Sequence, residues 1–515
     1  MRRSERTSVF PNKYNEFVVD SKVKYGLEKF VSYSNLSSEN LCFATELNKA
    51  FEPRNYREAC KDQHWIEAMN KEMKALYDND TWEITELPLG RKSIGGKWVF
   101  KIKYRSSGDI ERYKARYVVK GYNQKEGIDF DETFSPVVKI VTVRCLINLA
   151  VQNSWPLFQL DVNNAFLYGD LSETVYMDLP EGYFSPNDKR VCRLKKSLYG
   201  LKQAPRQWNA KLTHTLIEHG FKQSKSDYSL FTKSEKGSFI VLLVYVDDII
   251  VTGNNVNSIE SFKKFLKTKF QIKDLGKHKY FLGIEVVDTN KGVCLCQRKY
   301  CLDLLSEFGL LACKPSAIPL EQNISITNEP TDSDPLIDNI TEYQKLIGKL
   351  IYLTHTRPDI AYSVHCLSQF MHKPLKSHLK IALKVLRYLK SAPGKGIHVI
   401  KNNVTSLDVY VDADWAKCVV TRKSVTEAEY RAIASATSEI VWILKILQDL
   451  NWEHFIPAKV FCDSQAAIKI AANPVFHERT KHLEIDLHFV RDKIISGVIK
   501  TYKISSANQV ADCFD

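Results

Sequence analysis

The residues best suited to chemistry are two adjacent aspartates, Asp247 and Asp248, which lie between two apolar runs. Residues 239–246 and 249–253 are rich in Val, Ile and Leu, and the second run ends in glycine. This pattern is typical of two buried β-strands joined by a turn. Adjacent carboxylates repel each other unless a cation binds them, and hard divalent cations prefer carboxylate oxygens. A solvated turn is the better explanation of an Asp-Asp pair taken alone, because aspartate is a common turn residue.

A third carboxylate, Asp161, lies near the end of an alternating run over residues 155–162, which predicts another strand. Asp161, Asp247 and Asp248 would then be strand-end acids that can hold divalent metal ions together. Two such ions can activate an attacking oxygen and stabilise a leaving oxygen, which is the chemistry of phosphoryl transfer. The set therefore predicts a metal-dependent phosphoryl-transfer site.

The last hundred or so residues contain a second set of acids in strand, helix, strand order. Asp412 ends an alternating run, Glu427 opens a helical segment that also contains Glu429, Asp463 ends a second strand, and Asp512 lies near the end of the chain. Each acid taken singly is better explained as a surface or capping residue. In combination they form the four-acid arrangement that a two-metal nuclease needs.

The elements around these acids are basic. Residues 97–104 and 112–120 alternate cations with apolar residues, which predicts a β-hairpin with one face on a core. The other face suits a phosphate-binding role and a solvated role about equally. The whole chain has 73 Lys and Arg against 60 Asp and Glu, a formal net charge of +13, which favours a polyanionic partner.

Length and composition limit the class of protein. A chain of 515 residues with 44% hydrophobic residues is expected to form two to four packed domains, which excludes a chain disordered throughout. The twelve cysteines include no C-x-x-C pair, which favours reduced thiols. No apolar leader segment is found, so we expect a soluble intracellular protein, in the cytoplasm or alternatively in the nucleus.

Apolar residues recur at helical spacing in five segments, which predicts amphipathic helices. These segments are residues 57–76, 205–216, 256–270, 343–351 and 382–389. The lysines of the third segment are expected to face solvent: Lys263, Lys264, Lys267 and Lys269. A proline-rich polar stretch over residues 315–340 predicts a domain boundary.

Several motifs together resemble the reverse transcriptase of copia-type retrotransposons. In the first part of the chain they are WVFK (98–101), RYKAR (112–116), ETFSPVV (132–138), QLDVNNAFL (159–167), SLYGLKQAP (197–205) and YVDD (245–248). The later ones are YFLGIE (280–285), TRPD (356–359), YVDADW (410–415), EAEY (427–430), CDS (462–464) and HERTKH (477–482). The resemblance thus covers nearly the whole chain, and we expect a fragment of a longer Pol polyprotein.

The resemblance implies a mixed α/β (α+β) chain with a right-hand polymerase fold of fingers, palm and thumb. Asp161, Asp247 and Asp248 would hold two Mg²⁺ ions, with Mn²⁺ as an alternative. The remaining site residues that it implies bind the incoming deoxynucleoside triphosphate: Lys103, Arg116, Phe166, Tyr199 and Gly200. The implied partners are an RNA template, a DNA primer and the RNA-DNA hybrid, with no membrane.

By the same resemblance, Asp412, Glu427, Asp463 and Asp512 would be the metal ligands of an RNase H-like domain. Family members carry two strands between Arg-Lys-Ser and Glu-Ala-Glu-Tyr, but here Ser424 is followed at once by Val425. Such a loss removes one side of a sheet and exposes an edge, which argues against RNase H activity. The predicted domains are a tail (1–55), the reverse transcriptase (56–314), a linker and helical connection (315–400), and the shortened RNase H-like domain (401–515).

Three functions are consistent with the sequence. The leading one is RNA-directed DNA polymerase, carried by Asp161, Asp247 and Asp248. The second is a catalytically inactive nucleic-acid-binding relic of a decayed retroelement, suggested by the shortened domain. The third and weakest is a nuclease with an idle polymerase domain.

Overall fold

The computed structural model describes residues 52–104, 110–321, 326–327, 329–402, 406–412, 425–452, 455–472 and 484–511. For residues 104, 425–428, 484, 485 and 487 it describes the backbone alone. Two predicted site residues are affected, because Asp512 lies outside the described residues and nothing is described of the Glu427 side chain. Most of the predicted N-terminal tail and the HERTKH motif (477–482) also lie outside them.

Helices and strands are interspersed along the chain, which confirms the predicted mixed class. The helices are α1 (Tyr56–Ala59), α2 (Gln63–Asp78), α3 (Ile140–Asn153), α4 (Ala204–Glu218), α5 (Val256–Lys269), α6 (Arg298–Glu307), α7 (Ile340–Leu353), α8 (Ala361–Ser368), α9 (Lys376–Ser391), α10 (Val425–Asp449), α11 (Gln465–Ala472) and α12 (Glu484–Ile495).

The strands of the first half are β1 (Trp82–Thr85), β2 (Gly96–Tyr104), β3 (Ile110–Val119), β4 (Leu157–Val162), β5 (Asp170–Asp178), β6 (Val191–Lys196), β7 (Lys222–Gln223), β8 (Leu230–Glu235), β9 (Ser238–Tyr245) and β10 (Asp248–Gly253). Those of the second half are β11 (Ile272–Lys277), β12 (Tyr280–Phe281), β13 (Ile284–Thr289), β14 (Gly292–Cys296), β15 (Gly396–Ile400), β16 (Asp408–Val411), β17 (Ala458–Cys462) and β18 (Ile499–Lys503).

The first predicted helix is divided in the structure, which corrects its predicted start at Arg57. Asn55 caps the short helix α1, and its side chain accepts a hydrogen bond from the Glu58 backbone amide. Asp62 then caps α2 by accepting from the His64 amide at 2.9 Å. These two capping side chains are seven residues apart, and each accepts a hydrogen bond from a free backbone amide at the start of its own helix. The chain therefore forms two helices instead of one.

The described residues form two compact units, and the first lies within residues 52–138 and 158–277. Its largest sheet has six strands in the order β11-β4-β10-β9-β8-β7. The predicted hairpin of two apolar runs is present as β9 and β10, which pair antiparallel from Tyr245–Asp248 to Ile240–Gly253. Helices α4 and α5 cover this sheet through a core that includes Trp208, Leu212, Phe262 and Leu266.

The predicted basic hairpin is also present in this unit, as the antiparallel pair β2 and β3. Helix α2 packs against it, with Trp65 in edge-on contact with Phe100 and with Tyr113. A third sheet in the order β1-β6-β5 completes the unit. One face of the hairpin is therefore fixed on a core, and the other is available for polar contacts.

Lys263 of α5 does not face solvent, which corrects one of the four lysine predictions. Its side chain is only 4% exposed, and Nζ lies 2.8 Å from Glu260 and 3.1 Å from Asp274 of β11. The same ammonium lies 3.6 Å from the centre of the Phe158 ring on β4. Two carboxylates and an aromatic face replace water around this charge, so burial of the lysine is tolerated.

The second unit lies within residues 139–157 and the described parts of 278–511. Its four-stranded sheet has the order β12-β13-β14-β15, and helices α6 to α9 share a core around Tyr343, Leu350 and Leu386. Ile351 was predicted in the apolar stripe of α7 but is 44% exposed. Helix α3 belongs to this unit and contacts α10, where the Lys139 ammonium lies 4.2 Å from the Trp442 ring centre.

A parallel three-stranded sheet in the order β16-β17-β18 lies in the same unit. Helices α10, α11 and α12 contact one another, and the core next to the sheet includes Tyr430, Ile433 and Val460. Within the described ranges, β16 pairs with β17 alone and forms an edge of the sheet. None of the described helices is long and apolar enough to cross a membrane.

Candidate active site

The turn between β9 and β10 holds Asp247 in an uncommon backbone arrangement. Val246 has a φ of +52°, a conformation that a β-branched residue rarely adopts. The indole Nε1 of Trp208 donates a hydrogen bond of 2.7 Å to the Val246 carbonyl oxygen. Trp208 is itself buried in the core beneath the sheet, so this contact ties the strained turn to helix α4.

Strand β4 places Asp161 beside this turn. The Val162 amide donates to the Asp247 carbonyl oxygen at 2.8 Å, which joins the end of β4 directly to the turn. On the same strand, Gln159 Nε2 donates to Asp248 Oδ1 at 3.1 Å. The structure therefore brings together the three aspartates that the sequence singled out, on neighbouring elements of one sheet.

The environment of Asp247 and Asp248 disfavours two bare negative charges at the turn. Burial raises the pKa of the Asp247 carboxyl, and the charge of Asp161 raises it further, while Arg116 and Lys114 act in the opposite direction. Burial also raises the pKa of Asp248, with Asp247 and Asp161 adding to the effect. A bound divalent cation would relieve this repulsion.

A cavity of about 450 Å³ lies between these acids and the basic hairpin. Asp161 and Asp247 line it together with Val162, Asn163 and Asn164. The hairpin contributes its outward-facing side chains to the same cavity: Val99, Lys101, Lys103, Arg112, Lys114 and Arg116. Five cations and two carboxylates therefore line one polar space within the first unit.

The hairpin register explains why so many cations share one face. Lys101 lies directly opposite Lys114, and Lys103 lies opposite Arg112. Like charges at opposed positions of a sheet destabilise it, so such a face needs an anion to balance it. Glu52 supplies part of this balance, with Oε1 at 3.1 Å from Lys101 Nζ.

Tyr199 and Phe166 lie next to Arg116. The Arg116 guanidinium lies 4.0 Å from the centre of the Tyr199 ring, and the Phe166 and Tyr199 rings are 4.9 Å apart. Burial raises the pKa of the Tyr199 phenol to about 12. Both aromatic residues and Arg116, which the resemblance assigns to the nucleotide site, thus belong to one contiguous group.

Gly200 follows Tyr199 at a point where the backbone has no room for a side chain. Its φ is +96°, and a Cβ atom would lie 2.1 Å from the Val119 carbonyl oxygen. The Val119 amide in turn donates to the Tyr199 carbonyl oxygen at 2.8 Å. The loop after β6 therefore packs closely against the end of β3 and is hydrogen-bonded to it.

The second acidic set is only partly described. Val411 and Cys462 are paired at the ends of parallel strands β16 and β17, so Asp412 and Asp463 follow at the same edge of the sheet. Ligand atoms of Glu429, Cys462 and Asp463 lie within 4.8 Å of one another. The Cys462 thiol donates to Glu429 Oε2 at 3.6 Å, and burial raises its pKa to about 12.

Some residues of both sites were missed by the sequence prediction. Strand alternation through Lys103 and Arg116 would have found Lys101, Arg112 and Lys114, because residues two apart share a face. Glu429 lies on the same helical face as Ile433, Thr437 and Ile440, and all of these residues are buried. Its spacing from these apolar positions would have predicted that Glu429 faces the core beside the strands. Its neighbour in the prediction, Glu427, lies in helix α10 with an undescribed side chain.

Comparison with protein families gives a match for part of the chain. Residues 79–322 match the family model described as reverse transcriptase (RNA-dependent DNA polymerase). The chain is 42% identical over 501 residues to the retrovirus-related Pol polyprotein from transposon RE1 of Arabidopsis thaliana. The aligned region covers 91% of this chain and 34% of that relative. The chain thus spans about a third of the length of this relative.

A shorter relative is covered over most of its own length. The chain is 32% identical over 257 residues to a putative transposon Ty5-1 protein of Saccharomyces cerevisiae, covering 82% of it and 49% of this chain. Among solved structures, the chain is similar to the foamy viral protease-reverse transcriptase in complex with RNA/DNA hybrid. That match has a TM-score of 0.46 and 11% identity, and covers 86% of this chain and 54% of the viral one.

Proposed function

Because this chain belongs to the reverse transcriptase family of copia-type retrotransposon Pol polyproteins, we propose that it is an RNA-directed DNA polymerase. The reaction joins the primer 3′ oxygen to the α-phosphorus of a deoxynucleoside triphosphate. The bond from that phosphorus to the β-phosphate oxygen breaks, and pyrophosphate leaves. The catalytic centre is the cavity between the three aspartates and the basic hairpin.

One observation carries the proposal. A single cavity has two carboxylates, Asp161 and Asp247, on the sheet side and five cations on the hairpin side. A nucleoside triphosphate with bound metal has complementary groups for both, since its phosphates need cations and its metal ions need carboxylate oxygens. A purely structural carboxylate cluster has no need of the unbalanced cationic face opposite it.

The acids suit Mg²⁺ or Mn²⁺, because all three offer hard oxygen ligands and two have a pKa raised by burial and mutual repulsion. Asp161, Asp247 and Asp248 would hold the ions. When bound, the ions would supply positive charge that favours loss of the primer hydroxyl proton and departure of pyrophosphate. Gln159 orients Asp248 through its hydrogen bond of 3.1 Å.

The hairpin residues bind and orient the triphosphate. Arg116 offers a fixed fork of donors suited to phosphate oxygens, and stacking on Tyr199 limits the directions it can adopt. Lys103 and Lys114 add positive charge to the same side of the cavity. Phe166 would lie under the sugar and exclude a 2′-hydroxyl, while the turn at Gly200 would support the nucleotide through the neighbouring Tyr199.

The partners we propose are an RNA template annealed to a DNA primer, and deoxynucleoside triphosphates. The net charge of +13 favours such polyanions. Primer extension on an RNA template with Mg²⁺ tests the proposal, with Asp247→Asn as the inactive control. Salt-sensitive hybrid binding by folded protein without any extension would favour the inactive relic instead.

A second candidate activity is cleavage of the RNA strand of the hybrid. The closeness of Glu429, Cys462 and Asp463, with Asp412 at the adjacent strand end, favours it. The edge position of β16 opposes it, because the strand that carries Asp412 has a single partner among the described residues. Cleavage of a labelled hybrid that is lost in Asp463→Asn would establish this activity.

A further inference from the structure

The first unit contains a second cavity, of about 460 Å³, whose lining residues all differ from those of the catalytic cavity. It lies between the end of α4, the hairpin of β8 and β9, and the start of α5. The hairpin lines it with opposed residues that share one face: Lys233, Glu235, Ser238 and Ile240. Its volume is in the range of small-molecule sites, and the proposed polymerase reaction does not use it.

The apolar part of this lining is aromatic. Phe221 and Phe262 are buried there, with ring centres 4.9 Å apart. The His219 ring is stacked on Phe265 at 3.8 Å, with an angle of 10° between the ring planes, so its orientation is restrained. Burial and the charge of Lys233 lower the pKa of His219, which favours the neutral imidazole. This aromatic side of the cavity therefore suits a flat aromatic group.

The rest of the lining is polar and favours an anion. Asn255 caps α5 by accepting a hydrogen bond of 3.2 Å from the Ser258 amide, and the first turn of α5 contains no acid. The positive end of the helix dipole is therefore not balanced by a carboxylate of that turn. Lys233 Nζ lies 3.2 Å from a Glu235 oxygen, whereas Lys236 is exposed at the rim. Two lysines against one carboxylate leave the lining with a net positive charge.

Ser238 provides an independent observation that favours a polar ligand. Its Oγ atom is buried and has no hydrogen-bond partner, although the residue lines the cavity. A buried hydroxyl without a partner costs free energy. Rotation about the Cα–Cβ bond would offer this hydroxyl to a bound ligand, as donor or as acceptor.

We propose that this cavity is an accessory nucleotide-binding site, in which a base lies against the aromatic side and a phosphate group lies at the start of α5. A nucleotide combines a flat aromatic ring with an anion, and the lining has one complementary part for each. The nucleotide is either free or a unit of a nucleic-acid strand, because both present the same chemistry. The site does not depend on the polymerase reaction.

Binding of adenosine monophosphate to the full chain in EDTA tests the proposal. EDTA removes the metal ions that phosphate binding at the three aspartates needs, so the catalytic cavity is silent in this measurement. The expected result in titration calorimetry is saturable binding of one nucleotide per chain. Ribose 5-phosphate, which lacks the base, should bind at least about tenfold more weakly, as expected for loss of one stacked base.

Ser258→Asp locates the binding at the start of α5. An acid at the third position of a helix favours the helix but repels a phosphate group, so the fold is kept while the site is weakened. We expect the affinity for adenosine monophosphate to fall at least about tenfold. Ser234→Asp is the matched control, because Ser234 is exposed on β8 between Lys233 and Glu235 and faces away from the cavity. This control should bind like the parent.

A competition experiment distinguishes the two sources of the nucleotide. A single-stranded oligoadenylate that displaces adenosine monophosphate assigns the site to a nucleic-acid strand, and one that does not displace it assigns the site to a free nucleotide. The proposal is overturned by a folded parent that shows no saturable binding up to about 10 mM, or by equal losses in the two aspartate variants. Primer extension enters none of these measurements, so an inactive polymerase leaves the test intact.

Discussion

The two acidic sites of the chain differ in how their carrying strands are supported. Asp161 and Asp248 are carried by β4 and β10, and each of these strands has a neighbour on both sides in the six-stranded sheet. Asp412 follows β16, which has one neighbour within the described ranges. Position within a sheet restrains a strand end more than position at its edge. We therefore expect the first set of carboxylates to keep its spacing more firmly than the second set.

The largest expected effect is a loss of primer extension when a carboxylate of the first site, but not of the second, is removed. Asp161→Asn removes one carboxylate of the first site, and we expect primer extension to fall at least about a hundredfold, because the metal charge is then poorly held. Asp412→Asn, the corresponding strand-end change in the second site, should leave extension within about twofold. Steady-state extension on an RNA template measures both. Equal losses in the two variants would remove the distinction between the sites.

The next effect concerns what holds the first site. Trp208→Phe keeps a ring in the core but loses the indole N–H that bonds the Val246 carbonyl oxygen, so the turn carrying Asp247 is less well held. We expect extension to fall about tenfold, as for loss of one hydrogen bond to a strained element. Trp65→Phe is the matched control, since Trp65 is also buried in the first unit. A similar loss in both variants would indicate a general packing effect.

A third effect should act on the second unit through pH. Burial lowers the pKa of His278 to about 4, and neither ring nitrogen has a hydrogen-bond partner. A depressed pKa means that the neutral form is favoured in the folded state. The associated stability is present above about pH 6.5 and is lost as the pH falls toward 4, by about 3 kcal/mol.

His278→Leu should remove that part of the pH dependence. Denaturant unfolding of parent and variant between pH 7 and pH 4, followed by fluorescence, measures the difference in slope. The matched control is His214→Leu, because His214 is exposed on α4 and belongs to the first unit. Parallel curves for the parent and His278→Leu would contradict a buried neutral histidine.

The smallest effect tests whether the second site is formed as described. The pKa of Cys462 is raised to about 12 by burial, so few thiolates exist at pH 8. Iodoacetamide should therefore leave Cys462 unmodified in the folded protein and modify it after unfolding. Peptide mass analysis gives the modified fraction, with the half-buried Cys313 as an internal comparison. Rapid modification of native Cys462 would show that the acids around it are not held together.

Local patterns in the sequence were enough to predict the strands and the turn that carry the first set of acids. Asp247 and Asp248 are adjacent in the chain, Asp161 ends a strand, and the basic hairpin alternates with period two. Each of these features depends on residues near one another in sequence, so the turn, the strands and the cationic face followed from spacing. The roles assigned to these residues, and the predicted domain boundaries, remain predictions.

Features that depend on distant partners were not predictable. Lys263 resembles its solvent-facing neighbours in sequence, but Asp274 and Phe158 surround it in the fold. Glu72 is an acid within the apolar stripe of α2, and it is only 6% exposed because this helix packs on β3. Both cases involve a charge buried by a tertiary contact, and hydrophobic periodicity contains no information on such contacts.

The packing at Gly200 has a genetic consequence. The Val119 carbonyl oxygen occupies the place of a side chain there, so any amino-acid change at this codon introduces atoms that cannot fit. We therefore expect a nonsynonymous substitution in the codon to displace this loop from the end of β3, whatever the new residue. Among copies of a gene that accumulate random substitutions, we expect this glycine codon to stay intact for as long as selection maintains the fold.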